Sequence, residues 1–185
     1  MRSVEVVPHN SEWRDEFEAE AKKVVVALGE NIVNIYHIGS TAVPDIYAKP
    51  IIDLLVEVTD ISKVDGQNSG MKSLGYEVMG EFGIPGRRYF CKDNRKGIRT
   101  HHIHTFESGS PELERHLAFR DYMIAHPEDA QKYSELKRKL AEEYPQNPDE
   151  YMDGKDSFIK EIDQKAAGWR KSLTNQHSAN LRCAG

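Results

Sequence analysis

The stretch HIGSTAVPDIYAKPIIDLLVEV, residues 37–58, decides how this chain is read. It closes one β-rich segment, turns at Gly39-Ser40, and reaches Asp53 at the head of a second apolar segment. Glycine permits close backbone approach, and Ser40 offers one hydroxyl and one N–H, so the turn has the means to hold a phosphate oxygen. The second segment, KPIIDLLVEV, is apolar on both faces, the pattern of a buried central strand. In a strand Asp53 shares a face with Leu55 and Glu57. Asp53 therefore has two readings: a carboxylate that serves a site, or one that hydrogen-bonds the Gly-Ser turn and steadies the loop.

Outward from this stretch, residues 4–7 are short and β-rich and are stopped by Pro8. Asn10 or Ser11 can cap a helix whose apolar positions, Trp13, Phe17, Ala21, Val24, Val25 and Leu28, keep helical spacing up to Gly29. Residues 32–38 predict a strand, and 61–74 a short helix closed by Gly75. YEVMGEF (76–82) and RRYFCK (87–92) predict a hairpin whose wide loop holds Gly83, Pro85 and Gly86. After a turn at 93–97, IRTHHIHTF (98–106) alternates and predicts another strand. Ser110-Pro111 then sets a cap residue before proline at the first helical position, and helices follow over 112–126, 129–143 and about 148–167. The expected organisation is an α+β chain: a mixed α/β part over 1–108, a helical extension over 109–170 packed on the same core, and an unstructured tail over 171–185.

Strand alternation puts His102 and His104 on one face with Thr100 and Phe106, and turns His101 and Ile103 the other way. Two imidazoles at this spacing can ligate a metal together with Asp53, act as general base and phosphate donor, or form a hydrogen-bonded pair beside a buried strand. His37, just ahead of the turn, can join them or pack within its strand. Lys49, Arg99, Lys155 and one of Arg87 and Arg88 are candidate cations around Ser40; alternation lets only one of the two arginines face a given side. Arg120, among Leu117, Phe119 and Met123, can reach inward. ELKRKLAEE (135–143) reads as a solvated helix face with charge pairs at i, i+4.

HIGSTAVPDIYAKPIIDLLVEV, THHIHTF, FRDYMIAHPEDAQKYSELKRKLA and YMDGKDSFIKEI, in that order, resemble the GrpB family, which is placed in the nucleotidyltransferase superfamily; the resemblance runs from about residue 6 to 169. It implies a nucleotidyltransferase-like mixed β-sheet with flanking helices and a helical C-terminal part. The superfamily holds two magnesium ions on a triphosphate with an Asp-x-Asp or Glu-x-Asp pair, often with a third carboxylate from a later strand. In this sequence Asp53 matches the first carboxylate, Leu55 stands at the second position, and the later strand supplies His102 and His104, donors better suited to zinc or manganese than to magnesium. The resemblance implies a divalent metal (Mg, Mn or Zn) at Asp53, His102 and His104. It further implies a nucleotide or phosphorylated small molecule contacted by Gly39, Ser40, Thr41, Lys49, Arg87, Arg88, Arg99 and Lys155, and transfer of a nucleotidyl or phosphoryl group. The alternative is a non-catalytic module that binds an anionic metabolite in a degenerate site. A third reading, an interaction protein working through its helical half, predicts an exposed apolar patch there.

Composition narrows the classes. The 185 residues carry 30 acidic and 25 basic side chains, a formal net charge of −5, so general nucleic-acid binding is not expected. Cys91 and Cys183 are far apart and form no CxxC pair, which reads as free thiols in a reducing, cytoplasmic setting. MRSVEVVPHN lacks the apolar core of a signal peptide, and no apolar run reaches the length of a membrane span. No GxxxxGK[ST], GxGxxG, GxSxG or HExxH motif is present, which removes most of the support for P-loop, dehydrogenase, hydrolase and zincin chemistry.

Overall fold

The computed structural model describes residues 4–183, with side chains as far as Asn175. Five strands, β1 (Ile32–Ile38), β2 (Ile52–Val58), β3 (Tyr76–Val78), β4 (Arg88–Asp93) and β5 (Arg99–Glu107), form one sheet in the order β1-β2-β5-β4-β3. The sheet is mixed: β2 and β5 run parallel, and the other pairs are antiparallel. β2 and β5 are the inner strands on which the functional positions lie. β2 is buried along almost its whole length, as its two-sided apolar pattern requires.

Five α-helices complete the chain: α1 (Glu12–Leu28), α2 (Asn68–Ser73), α3 (Pro111–Ala125), α4 (Pro127–Glu143) and α5 (Pro148–Cys183). One sheet face packs Leu54, Val56, Ile103 and Phe90 against Trp13, Val24 and Leu28 of α1 and Met71 of α2. The other face packs Ile38, Leu55 and Phe106 against Leu113 and Leu117 of α3. A third cluster joins Val43 and Ile46, from the loop after the Gly-Ser turn, to Ala118, Tyr122, Tyr133 and Ile162 of the C-terminal helices. The helical part thus shares its core with the sheet instead of standing apart from it.

Several local expectations are modified. Residues 4–7 do not join the sheet; Val7 makes a single antiparallel bridge to Ala48, with both hydrogen bonds at 2.9 Å, and so pins the loop leading into β2. The segment 61–74 begins as a 3-10 helix, Ile61–Gln67, and becomes α-helical only at Asn68, after the interruption at Gly66. The hairpin forms, but β3 has three residues where seven were expected, because Gly80 and Gly83 take positive φ and turn the chain out of the ladder. Pro127 opens α4 two residues early, in the proline-first manner already seen at Pro111. Helix α5 continues past Ala167 as far as Cys183, so helical backbone occupies most of the expected 171–185 tail; its final two residues lie outside the described part.

Candidate functional site

The register of β2 on β5 sets Asp53 beside His102 and Leu55 beside His104, while β4 sets Tyr89 beside His104 and Cys91 beside His102. The turn that ends β1 lies directly on this row. Gly39 has φ 70° and ψ −172°, and a Cβ placed on it would collide with Oδ2 of Asp53. Glycine is needed here twice over, for the backbone angle and for the room the carboxylate takes. The other carboxylate oxygen, Oδ1, lies 3.0 Å from His102 Nδ1. Burial alone would raise the Asp53 carboxyl, but the hydrogen bond and charge of His102, with His104 and His37 beyond, hold it below the usual range. His104 is half-buried, and desolvation pushes its imidazole down to about 4; His116, whose ring centroid lies 5.2 Å away, is pushed down by burial to about 3.

Ligand atoms of Asp53, His102 and His104 lie within 4.8 Å of one another, the one group among the described residues that could hold a metal ion. One carboxylate with two imidazoles suits zinc or manganese and is a poor donor set for magnesium. The missing second carboxylate has a structural explanation. Leu55 has no exposed surface and packs against Ile38, Phe106, Leu113 and Leu117, so its position belongs to the seam between sheet and α3. Glu57, next on that face, is engaged elsewhere: it accepts hydrogen bonds from Tyr36 (2.9 Å) and Ser108 (2.8 Å).

The C-terminal helices bring further polar and cationic side chains to the Gly-Ser turn. Ser40 hydrogen-bonds to Tyr133 of α4. Lys49 and Lys155 hold their Nζ atoms over the same aromatic neighbour, at 4.0 Å and 4.4 Å from the Tyr151 ring centroid. Lys137 donates to the carbonyl of Tyr47 and lies 4.5 Å from the Tyr133 ring centroid. Lys137 is 2% and Lys155 7% exposed. Burial, with Lys155 nearby, pushes Lys137 down to about 7; burial and Lys49 push Lys155 down to about 8. None of the three makes an ion pair among the described residues. Buried cations of this kind are costly unless an anion comes to them.

Gly39, Ser40, Lys49, Asp53, His102, His104, Lys155 and Arg87 are thus brought to one region, Arg87 through a 3.3 Å contact with His104. Arg88 is not: it turns to the other side and makes a two-pronged pair with Asp65 at 2.7 and 2.8 Å. Arg99 pairs with Asp93 at 2.5 Å beside β4. Thr41 is buried, hydrogen-bonded to His37 Nε2 at 2.9 Å and donating to the Ile51 carbonyl at 3.2 Å, so its hydroxyl is spent on the turn. His37 stacks on Phe17 and is pushed down by burial to about 4, a neutral prop for Thr41. Arg120 does reach inward, to the His37 carbonyl at 3.1 Å. Lys137, Tyr133 and Tyr151 are the site residues that pattern reasoning missed. Lys137 lies in a stretch whose i, i+4 charges look solvated, and no signal in the sequence separates it from its neighbours.

A mixed sheet with a Gly-Ser turn seated on a strand carboxylate, backed by helices, defines a nucleotidyltransferase-like α+β protein. The Cid1 poly(U) polymerase, in a structure described as MgGTP-bound, shares this fold at TM-score 0.50 and 10% identity, covering 73% of this chain and 44% of that one; the likeness is one of fold alone. The chain belongs to the GrpB family, whose model, described as GrpB protein, matches residues 3–165. The solved GrpB protein of Enterococcus faecalis superposes with TM-score 0.83 at 45% identity over 88% of this chain and 96% of that one. The UPF0157 protein YqkA of Bacillus subtilis is 44% identical over 178 residues, 96% of this chain but 51% of its own length. The glutamate-rich protein GrpB of Alkalihalophilus pseudofirmus is 35% identical over 160 residues, 85% of this chain and 92% of that one. The chain therefore spans about half of YqkA and nearly all of the second relative. No helix among the described residues is long and apolar enough to cross a membrane.

Proposed function

We propose that the cleft between the sheet and the C-terminal helices binds a nucleotide or another phosphorylated small molecule and transfers its nucleotidyl or phosphoryl group to a small hydroxyl acceptor. The observation that carries this reading is the meeting of the Asp53–His102 pair under the Gly-Ser turn with two buried lysines, Lys137 and Lys155, and the half-buried Lys49, none of which makes an ion pair among the described residues. Ser40 and the lysines take the phosphate oxygens. His102, oriented through Nδ1 by Asp53, keeps Nε2 free to accept the proton of the attacking hydroxyl as the new O–P bond forms and the bond to the leaving phosphate breaks. Where a divalent ion takes Nε2 of His102, that nitrogen is no longer a base, and the ion would supply charge neutralisation on the phosphates in its place. The test is incubation with each nucleoside triphosphate, Mn²⁺ or Mg²⁺, and a panel of small acceptors. Turnover that drops about a hundredfold or more in Asp53→Ala supports the reading; turnover equal to wild type in that variant refutes it.

The apolar burial of Leu55 favours a second reading, a binding module whose site no longer turns over. It expects a phosphate-bearing ligand to raise the melting temperature without being consumed. An interaction protein working through the helical half has less support: among the described residues the large exposed apolar side chains there are Ile124 on α3 and Met152 and Leu173 on α5, single positions separated along the chain.

A further inference from the structure

Two histidines on one strand face the same cleft, but the groups behind them differ in kind. His102 Nδ1 faces the Asp53 carboxylate, which only accepts, so Nδ1 carries the proton and the Nε2 lone pair is free. His104 Nδ1 lies 3.3 Å from Arg87 Nη1. A guanidinium has donors and no acceptor, so Nδ1 of His104 is the bare nitrogen, and the neutral ring carries its proton on Nε2. Arg87 is held firmly in that position. Its Nε and Nη2 donate to the carbonyls of Glu81 (3.1 Å) and Phe82 (2.6 Å), its guanidinium lies 4.8 Å from the Tyr89 ring centroid, and the residue is 6% exposed. The His104 ring is packed between Tyr89 and His116, each 5.2 Å away by ring centroids.

We propose that Arg87 locks His104 as a neutral Nε2–H donor, so that His104 gives a hydrogen bond to an anionic ligand oxygen beside it and leaves metal binding to Nε2 of His102, behind which Asp53 holds the Nδ1 proton. A ring nitrogen of His104 is close enough to the other two donors to complete a three-ligand site. Neither nitrogen is available for it: Arg87 covers Nδ1, and Nε2 bears the proton. A metal-bound imidazole passes its remaining N–H to a carboxylate, carbonyl or water, which is the arrangement His102 would need and Arg87 cannot offer to His104. His104 thereby drops out of the three-ligand set expected from the sequence, and the site acquires a neutral donor beside the ion. This assignment rests on the phosphate-binding reading only for the identity of the oxygen that His104 addresses.

Long-range ¹H–¹⁵N NMR on the wild-type protein near neutral pH reads the tautomer directly, with His104 assigned by the signals lost in His104→Gln. The expected result is the Nε2–H pattern for His104 and the Nδ1–H pattern for His102. Titration with Co²⁺, followed by its visible spectrum, reads the ligand set. Wild type and His104→Gln are expected to bind Co²⁺ equally, and Arg87→Met to bind about tenfold tighter or more, with the stronger absorption of an added imidazole ligand. An Nδ1–H or doubly protonated His104 in wild type overturns the proposal, as does weaker Co²⁺ binding in His104→Gln or no gain in Arg87→Met. If Arg87→Met does not fold, the wild-type tautomer and the His104→Gln titration decide alone. A protein that gives these results yet turns over no substrate keeps this inference and loses the catalytic one.

Discussion

Gly39 shows how much a single position decides. Its backbone lies in a region that only glycine occupies comfortably, and the Asp53 carboxylate fills the space a side chain would need. Gly39→Ala is expected to destabilise the fold by roughly 1–3 kcal/mol from backbone strain alone, with a further loss as Asp53 is driven off His102. Urea denaturation measures the first, and loss of the Asp53-bound Nδ1–H signal of His102 by NMR reports the second. A stable Gly39→Ala protein with that signal intact would contradict the contact. At this scale the sequence was legible in part. Strand alternation foretold that His102 and His104 share the face of Asp53, because a period of two is a property of the local backbone. It also foretold that Arg87 and Arg88 would part, without saying which turns inward. Lys137 was illegible, since the burial of a lysine depends on what its helix packs against and not on its neighbours in sequence.

Elements explain why the site has this donor set. β2 carries Asp53 near its head and Leu55 two residues on, and α3 presses Leu113 and Leu117 onto the latter. Leu55→Asp, which would restore a second strand carboxylate, is therefore expected to cost at least about 3 kcal/mol in urea denaturation and to gain no metal affinity. On the opposite face α1 is tied to the sheet edge by Glu20, 3% exposed, which accepts from Lys92 of β4 at 2.7 Å, Lys23 at 2.8 Å and the Tyr76 hydroxyl at 3.0 Å. Burial opposes its ionisation, but the hydrogen bonds from Lys23 and Lys92 and the charge of Lys92 bring the carboxyl down to about 2. The folded value lies below the unfolded one, so this stabilisation is complete above the ordinary glutamate range and is lost as pH falls from there toward 2. Its size is at most roughly 3 kcal/mol. Stability curves of wild type and Glu20→Gln should differ near neutrality and converge in acid; parallel curves down to the acid limit would show that the network carries no such linkage. The tie was invisible beforehand because Glu20 and Lys92 are 72 positions apart in the chain, and their pairing is set by tertiary docking alone.

As a whole molecule the protein joins its sheet to its helical part through shared buried clusters, and the candidate site lies where the two meet. The loop after the Gly-Ser turn is the joint: Val43 and Ile46 enter the helical cluster, Tyr47 gives its N–H to Ser134 at 2.8 Å and its carbonyl to Lys137, and Arg120 holds the His37 carbonyl just before the turn. The order of strands and helices was legible because each part announces its own periodicity. Their docking was not, because it is made by side chains distant in sequence.

The cost of that docking is a pair of largely buried lysines, and it has a pH signature. Lys137 near 7 and Lys155 near 8 lie below the ordinary lysine range, so between these values and that range the unfolded chain binds more protons than the folded one. The ligand-free protein should therefore gain stability as pH rises from about 7 toward about 10. An anion beside them reverses the preference by favouring the charged lysines, in the same sense as Asp53 acts on Lys155 and against the effect of Lys49. Pyrophosphate is expected to raise the melting temperature at about pH 6.5 and to lose most of that effect by about pH 9, with proton uptake on binding seen calorimetrically in buffers of different ionisation heat. Lys137→Met should abolish most of the shift while leaving the ligand-free protein about as stable, since it removes a buried charge that makes no ion pair among the described residues and loses only its bond to the Tyr47 carbonyl. A pyrophosphate effect that is flat in pH, or undiminished in Lys137→Met, would place the anion somewhere other than between the sheet and these helices.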